Sequence, residues 1–381
     1  MSNVLWATKY RPRKLSDIKG QPDLAFIRHM LRGVKVVPPL MLFCGPSGVG
    51  KTTAARIVAA SLNCDTPTGE EPCLECPACV SIFNMVYPAV TELDAASQGK
   101  AEDMRRLRED SYSYTTGKVR VFIIDEAQSI SGQGWNVLLK TFEEPPENVS
   151  FILLTSEPMK VPTKIRTRAV RFDFGRVSAG KVLSRLESIC DSEGVEITDD
   201  IDLSLITDLA DGSVREAIML LQQVVQSERP TEAVLGNRDN SFAIIRAALL
   251  NNRAEGLKLL SDSYNKTGDV KGIIELWGSA LEKVLFYNYD LPVFVSKKRE
   301  ATLRELASGF DDVKWASAME TLADWAPRAT SRSHLPFVWA SFLKAIHGSA
   351  LLAQIQTENV KKDEFRAGEL EAVLKGLDFD E

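Results

Sequence analysis

Histidine is nearly absent. Only His29, His334 and His347 occur in 381 residues. None stands in a pattern suited to nucleophilic or general acid–base work, so histidine chemistry is not expected. No apolar run approaches the ~20 residues that cross a bilayer, which excludes a membrane span and a membrane partner. The opening Met1-Ser2-Asn3-Val4-Leu5-Trp6 has neither the basic stretch nor the long apolar core of a secretory signal, and the expected location is the cytoplasm. An excess of positive charge is also missing. With a formal net charge of −6, any contact with nucleic acid must come from a local patch. Cysteines number six, and in a reducing compartment they argue for metal ligands or free thiols before disulfides. A hydrophobic content of 44% and a charged content of 26% describe an ordinary globular chain, long enough for two or three domains.

The strongest positive signal is Gly45-Pro46-Ser47-Gly48-Val49-Gly50-Lys51-Thr52, which fits the phosphate-loop pattern G-x-x-x-x-G-K-[ST]. The apolar run Leu40–Cys44 before it reads as a buried parallel strand, and Thr53–Ala60 after it as a helix. Glycines let the backbone wrap a phosphate, and the amides of the loop and helix start then point at the anion. Lys51 is placed to reach the β- and γ-phosphates, and the Thr52 hydroxyl to ligate Mg²⁺. The apolar strand 119–124 ends in Asp125-Glu126, the acidic partner that a phosphate loop needs. Asp125 would hold Mg²⁺ through its water shell, and Glu126 would orient or deprotonate the attacking water.

Cys64, Cys73, Cys76 and Cys79 follow the phosphate-loop helix. Two overlapping C-x-x-C units and a fourth thiolate in a short, proline-bearing loop suit tetrahedral Zn²⁺, with no open position and hence a structural role. Cys44 and Cys190 sit in apolar surroundings and read as core.

Ala89–Asp94 reads as a strand, followed by a loop at Ala95–Lys100 and a charged helix. Such a helix is usually a solvated face. Lys100 and Arg105 at its start nevertheless stand where a DNA phosphate would lie. Ser150–Ser156 is the fourth strand read from the pattern. Its polar end, Thr155, is positioned to sense a γ-phosphate, although a strand-ending Thr is more often a turn former. The cation-dense run 160–172 is anchored by Ile165, Val170 and Phe172 and would project an arginine outward. Near the N-terminus, Tyr10, Arg11 and Pro12 form either a solvated leader or a strip laid across a nucleotide base.

Alternating strands and helices around one phosphate loop predict a parallel, doubly covered α/β sheet. Beyond it the pattern is helical, with Ser213 a plausible cap and a polar boundary at Gly236–Asn240. Leu276, Leu281 and Leu285, then Trp315, Met319, Leu322 and Trp325, fall at helical spacing. The expected divisions are 1–177, with the cysteine module at 64–79; a helical unit at 178–236; a second helical domain at 241–356; and a tail at 357–381.

Taken together these motifs resemble the AAA+ clamp-loader ATPases, in particular the gamma/tau-subunit family of bacterial DNA polymerase III, in a short bacterial or phage version. Leu138-Leu139-Lys140-Thr141-Phe142-Glu143-Glu144-Pro145-Pro146 is close to that family's most recognisable string, and Asp94-Ala95-Ala96-Ser97 resembles its segment before the DNA-facing helix. The resemblance implies an AAA+ sheet with a zinc insertion, a helical lid and an all-helical collar. It implies ATP, Mg²⁺ and Zn²⁺ as cofactors. By it Tyr10, Arg11 and Pro12 belong to the nucleotide pocket together with Gly45, Pro46, Ser47, Gly48, Val49, Gly50, Lys51, Thr52, Thr53 and Asp125. Thr155 looks like the first sensor, Arg215 the second, and Arg168 the arginine finger. Lys100 and Arg105 look like contacts to primer–template DNA. The partners implied are a sliding clamp, delta- and delta-prime-type subunits, and further copies of the chain in a five-membered ring. The finger motif departs from the family's Ser-Arg-Cys, reading Thr167-Arg168-Ala169, and Gln128 stands where the family often has His. Two rivals are another AAA+ DNA motor, such as a branch-migration helicase, and a non-catalytic clamp-loader scaffold. Intact Lys51, Thr52, Asp125 and Glu126 speak against the scaffold.

Overall fold

The structure is a computed structural model that describes residues 5–32, 38–113, 117–198, 201–235, 240–291, 293, 297–309 and 312–347. The tail expected at 357–381 and the end of the expected collar lie outside these residues.

Five short strands form one parallel sheet: β1 Leu40–Cys44, β2 Val90–Asp94, β3 Arg120–Asp125, β4 Val149–Thr155 and β5 Val170–Asp173, in the order β2-β3-β4-β1-β5. All of β1 and β4 is buried, as strands covered on both faces must be. Their side chains alternate between two cores. Met41, Phe43, Val121, Ile123, Ile152 and Leu154 face Ala54, Ala55, Ile57 and Val58 of the phosphate-loop helix Lys51–Asn63. Leu40, Leu42, Phe122, Ile124, Phe151 and Leu153 face Met104, Leu107, Trp135, Leu138 and Phe142 of the helices Ala101–Ser111 and Gly132–Glu143. Each fully buried Val, Leu, Ile, Phe or Met among them contributes about 1.5–3 kcal/mol.

β4 lies between β1 and β3, so the phosphate-loop strand and the acidic strand are not neighbours. Registers Cys44↔Thr155, Cys44↔Asp173 and Asp94↔Asp125 bring the functional candidates to the carboxyl edge of the sheet, where open α/β sheets place their sites.

Two sequence expectations change within the sheet unit. β5 is a fifth strand within the cation-dense run. Only Phe172 in it is buried, and its charged neighbours hide the strand pattern. Ala95–Gln98 is a single helical turn rather than a loop, because the Asp94 carboxylate caps it by accepting from the Ala96 N–H at 2.9 Å.

The chain divides into two compact units. The first comprises Met1–Thr198 and Ile206–Gln226, so the helix Ala179–Glu193 and nearly all of the helix Val214–Ser227 belong with the sheet. Ser213 caps the latter, its hydroxyl accepting from the Glu216 N–H at 3.3 Å. The second unit, Asp199–Leu205 with Ser227 onward, is helical among the described residues. Its core centres on Trp277, Trp339 and Phe342, with the Trp277 and Phe342 rings 4.3 Å apart. Along Val270–Asn288 the buried face runs through Ile273, Ile274, Trp277, Leu281 and Val284. Leu276, read as part of the apolar stripe, is 41% exposed; the indole of Trp277 takes the core position beside it.

Candidate nucleotide-binding site

The phosphate loop can follow its path only because glycine stands at its tight points. A Cβ on Gly45 (φ +145°) would meet the Phe174 carbonyl oxygen at 2.0 Å, and one on Gly48 (φ +77°) would meet Ser213 Oγ at 2.0 Å. The loop is tied to the sheet and to the helices beside it. The Gly45 N–H donates to the Thr155 carbonyl at 3.0 Å, and the Arg215 N–H to the Gly48 carbonyl at 3.3 Å. The Gln21 side chain donates to the carbonyls of Val49 and Gly175, at 3.2 and 2.8 Å, and accepts from the Gly175 N–H at 2.9 Å. It thereby joins the N-terminal segment, the loop and the chain beyond β5.

Lys51 is only 8% exposed, and its ammonium donates to the carbonyls of Gly45 and Pro46, both at 2.7 Å. Burial lowers its pKa, against the opposing pull of Asp125 and then Glu126. The Thr52 hydroxyl donates to Asp125 Oδ2 at 2.9 Å, so the loop and the acidic strand end meet despite the intervening strand. Glu126 adopts a left-handed backbone (φ +50°, ψ +43°), which is uncommon for a side-chain-bearing residue and turns it out of the strand line.

A cleft open to solvent lies above these groups. The structure brings Tyr10, Arg11, Pro12, Ser47, Gly48, Val49, Gly50, Lys51, Thr52, Thr53, Asp125, Glu126 and Arg215 to its wall. Gly45 and Pro46 do not line it; they hold Lys51. The N-terminal strip is fixed rather than solvated. The Tyr10 hydroxyl and Lys9 ammonium both donate to Glu193, at 2.8 and 2.7 Å, and the Arg185 guanidinium donates to the Tyr10 carbonyl at 2.6 Å. Arg11 Nη1 is buried with no hydrogen-bond partner. Its pKa is lowered by burial, then by the like charges of Arg56 and Arg215. A buried guanidinium nitrogen without a partner is costly unless an anion joins it, so the cleft fits a polyphosphate.

Four further predicted residues are not on the cleft wall. Thr155 is fully buried, and its hydroxyl donates to Gln128 Oε1 at 2.7 Å. The Gln128 amide in turn donates to the Glu126 carboxylate and to Ser156 Oγ, the latter at 3.2 Å. Thr155 thus reaches the acidic pair through one side chain. Arg168 lies on the surface, 2.9 Å from Glu143 Oε1 and donating to the Lys164 carbonyl at 3.0 Å. Lys100 and Arg105 are exposed at the start of the helix Ala101–Ser111; the Lys100 N–H donates to Asp103 Oδ2 at 3.2 Å. Sequence reasoning missed Glu193, Arg185 and Lys181, which come from the helix Ala179–Glu193 and have no local motif.

The four cysteine sulfurs lie within 4.8 Å of one another. Amide N–H groups of Cys73, Cys76 and Cys79 donate to Sγ of Cys64, Cys73 and Cys76, at 3.3, 3.3 and 3.4 Å. Hydrogen bonds from the Thr66 side chain and the Cys76 and Glu75 amides lower the Cys73 thiol to about 6, whereas burial raises Cys64 and Cys79. Tetrahedral Zn–S bonds of about 2.3 Å need sulfurs somewhat under 4 Å apart. The Cys73–Cys79 pair, at 4.0 Å, is near that spacing. The donor set fits a zinc ion.

Fold and cleft define a class: a phosphate-loop nucleotide-binding protein whose acidic strand is separated from the loop strand by one other. The family described as "DNA polymerase III, delta subunit" matches residues 27–178. The chain is 38% identical over 218 residues to the DNA polymerase III subunit tau of Bacillus subtilis, covering 57% of this chain and 38% of that protein. It is 33% identical over 279 residues to the DNA polymerase III subunit gamma of Buchnera aphidicola, covering 69% of this chain and 74% of that one. A solved structure of the RuvB Holliday junction branch migration motor of Thermotoga maritima is 18% identical with a TM-score of 0.43. It covers 64% of this chain and 80% of that one. The chain belongs to the DNA polymerase III gamma/tau family. It spans less than half the length of several curated relatives, 38% and 46% for two of them.

Proposed function

We propose that the chain is the ATP-hydrolysing motor subunit of a sliding-clamp loader, which opens the clamp and places it on primer–template DNA. The observation that carries this reading is the 2.9 Å contact between Thr52 and Asp125 at the floor of the cleft, in a chain of this family. Mg²⁺, held by these two residues, would neutralise charge on the phosphates. Lys51 would exchange its two carbonyl contacts for phosphate oxygens. Arg11 and Arg215 would pair with the same polyanion, while Tyr10 and Pro12 cover the base. Glu126 takes the proton of the attacking water, and Thr155 reports the γ-phosphate through Gln128. Arg168 is off the wall of its own cleft and would serve that of a neighbouring copy. Lys100 and Arg105 would meet backbone phosphates, giving recognition by shape and not by base sequence.

The finer architecture belongs to the same proposal. Residues 178–236 act as a lid, 241–356 as a collar, and Cys64, Cys73, Cys76 and Cys79 hold structural zinc. The assembly is a five-membered ring with delta- and delta-prime-type subunits.

The test is ATP turnover by the reconstituted complex with clamp and primed DNA. Lys51→Ala should abolish nucleotide binding. Glu126→Gln should bind normally yet lose about 10²–10⁴ in turnover, the range of a lost general base. Wild-type turnover by Glu126→Gln removes the water-activating role, and strand displacement without clamp loading replaces the loader reading by a helicase.

A further inference from the structure

The loop between Cys64 and Cys73 is closed at its base, where the Cys73 N–H donates to Cys64 Sγ at 3.3 Å. Inside it Thr68 and Glu71 pair through backbone bonds of 3.1 and 3.3 Å, and the Ser61 hydroxyl donates to the Glu70 carbonyl at 3.2 Å. This fold presents the Glu71 carboxylate to the N-terminal strip. Its two oxygens accept from the Leu15 and Ser16 N–H groups, at 2.7 and 2.9 Å, and Arg28 Nε lies 3.7 Å away. Those amides begin the 3-10 turn Leu15–Asp17 and have no acceptor within it, so an anion there satisfies both through charge-assisted bonds. Leu15 is fully buried, and the next residues, Asp17, Ile18 and Lys19, line the cleft. Ile18 Cγ2 lies 3.6 Å from where a Cβ on Gly50 would stand, so the turn rests on the phosphate loop.

A second contact comes from the other end of the same insertion. The Arg13 guanidinium lies 5.6 Å from the centroid of Phe83, which ends the helix Pro77–Phe83 capped by Cys76. The strip is therefore gripped twice. The helix Ala179–Glu193 holds Lys9 and Tyr10, and the cysteine insertion holds Arg13 to Ser16.

We infer that Glu71 is a positioning residue of the nucleotide cleft, and that through it the cysteine insertion sets nucleotide affinity. This rests on the nucleotide reading above. A strip that is already ordered does not have to be ordered by the ligand, and that saving appears as affinity.

The experiment uses the full chain and follows equilibrium binding of N-methylanthraniloyl-ADP by fluorescence. Glu71→Ala should bind about tenfold more weakly, the loss expected of one or two charge-assisted bonds only partly expressed in binding. Glu71→Gln keeps one acceptor oxygen and should fall between; it also answers the question if the alanine variant does not fold. Cys76→Ser should weaken binding similarly. Glu71→Ala with Cys76→Ser should be no weaker than the weaker single variant, because both act through one contact. Additive losses, or wild-type affinity in Glu71→Ala and Cys76→Ser, overturn the inference. Lys51→Ala separates the two readings. If it binds the probe as wild type does, the nucleotide cleft itself is wrong. If it is inert while Glu71→Ala binds normally, only the role of Glu71 fails.

Discussion

Gln128 shows how one side chain links two groups that a sheet keeps apart. Thr155 ends β4 and Glu126 follows β3; the carboxamide accepts from the first and donates to the second. An amide can do both at any pH. Gln128→Ala should leave nucleotide affinity within about twofold and lower turnover by ~10²-fold, the usual cost of a reacting group displaced by an ångström. Gln128→His tests the bond pattern directly. A neutral imidazole accepts at one nitrogen and donates at the other, whereas imidazolium only donates. The variant should therefore work above a pKa raised from the ordinary value of about 6.5 by the Glu126 carboxylate and fail progressively below it, while wild type shows no such step. A flat pH–rate profile for Gln128→His would mean that the Thr155 bond is not used.

At the level of elements, the cysteine insertion is a short loop and a two-turn helix, too small to enclose a core of its own. Of the helix Pro77–Phe83, Ala78, Cys79 and Ile82 are buried. Four converging sulfurs offer such a segment a crosslink beyond its contacts with the sheet core. Purified protein should carry one zinc per chain. Cys76→Ser should release it and expose the amides of residues 64–79 to hydrogen exchange, while the sheet core stays protected. Elemental analysis that finds no zinc after expression in metal-replete medium would leave the four thiols without this role. β5 carries a related lesson. With one buried residue in four, Val170–Asp173 is a strand because β1 offers it an edge, not because its own sequence demands one.

Arg168 is a matter for the whole molecule. Within the chain it makes one exposed ion pair with Glu143, the two side chains being 42% and 44% exposed. Pairs of this kind contribute about 0–1 kcal/mol, so Arg168→Ala should barely move the melting temperature. In the assembled complex it should cut hydrolysis at the adjoining cleft by about 10³-fold or more, as loss of an arginine finger does. Lysine should substitute poorly, lacking the planar fork. Mixing Arg168→Ala with Lys51→Ala subunits should restore some activity, because an intact cleft can then meet an intact arginine. A melting temperature lowered by several degrees, with turnover unchanged, would show that the residue serves the fold of its own chain.

The sequence by itself determined the local chemistry: a phosphate loop with its helix, a strand ending in two carboxylates, a four-cysteine loop, and most of the buried strands. These are contiguous patterns, fixed by backbone sterics and apolar periodicity over a few residues. It also carried enough of the family's strings to place the chain among its relatives. Tertiary structure decided what converges from afar. It set Thr52 against Asp125, 73 positions along the chain. It brought Glu193 to Tyr10 and Glu71 to Leu15, and gave Gln128 its two partners. No periodicity announces such contacts, because a lone Glu or Gln reads as surface until the packing of distant elements buries its partners.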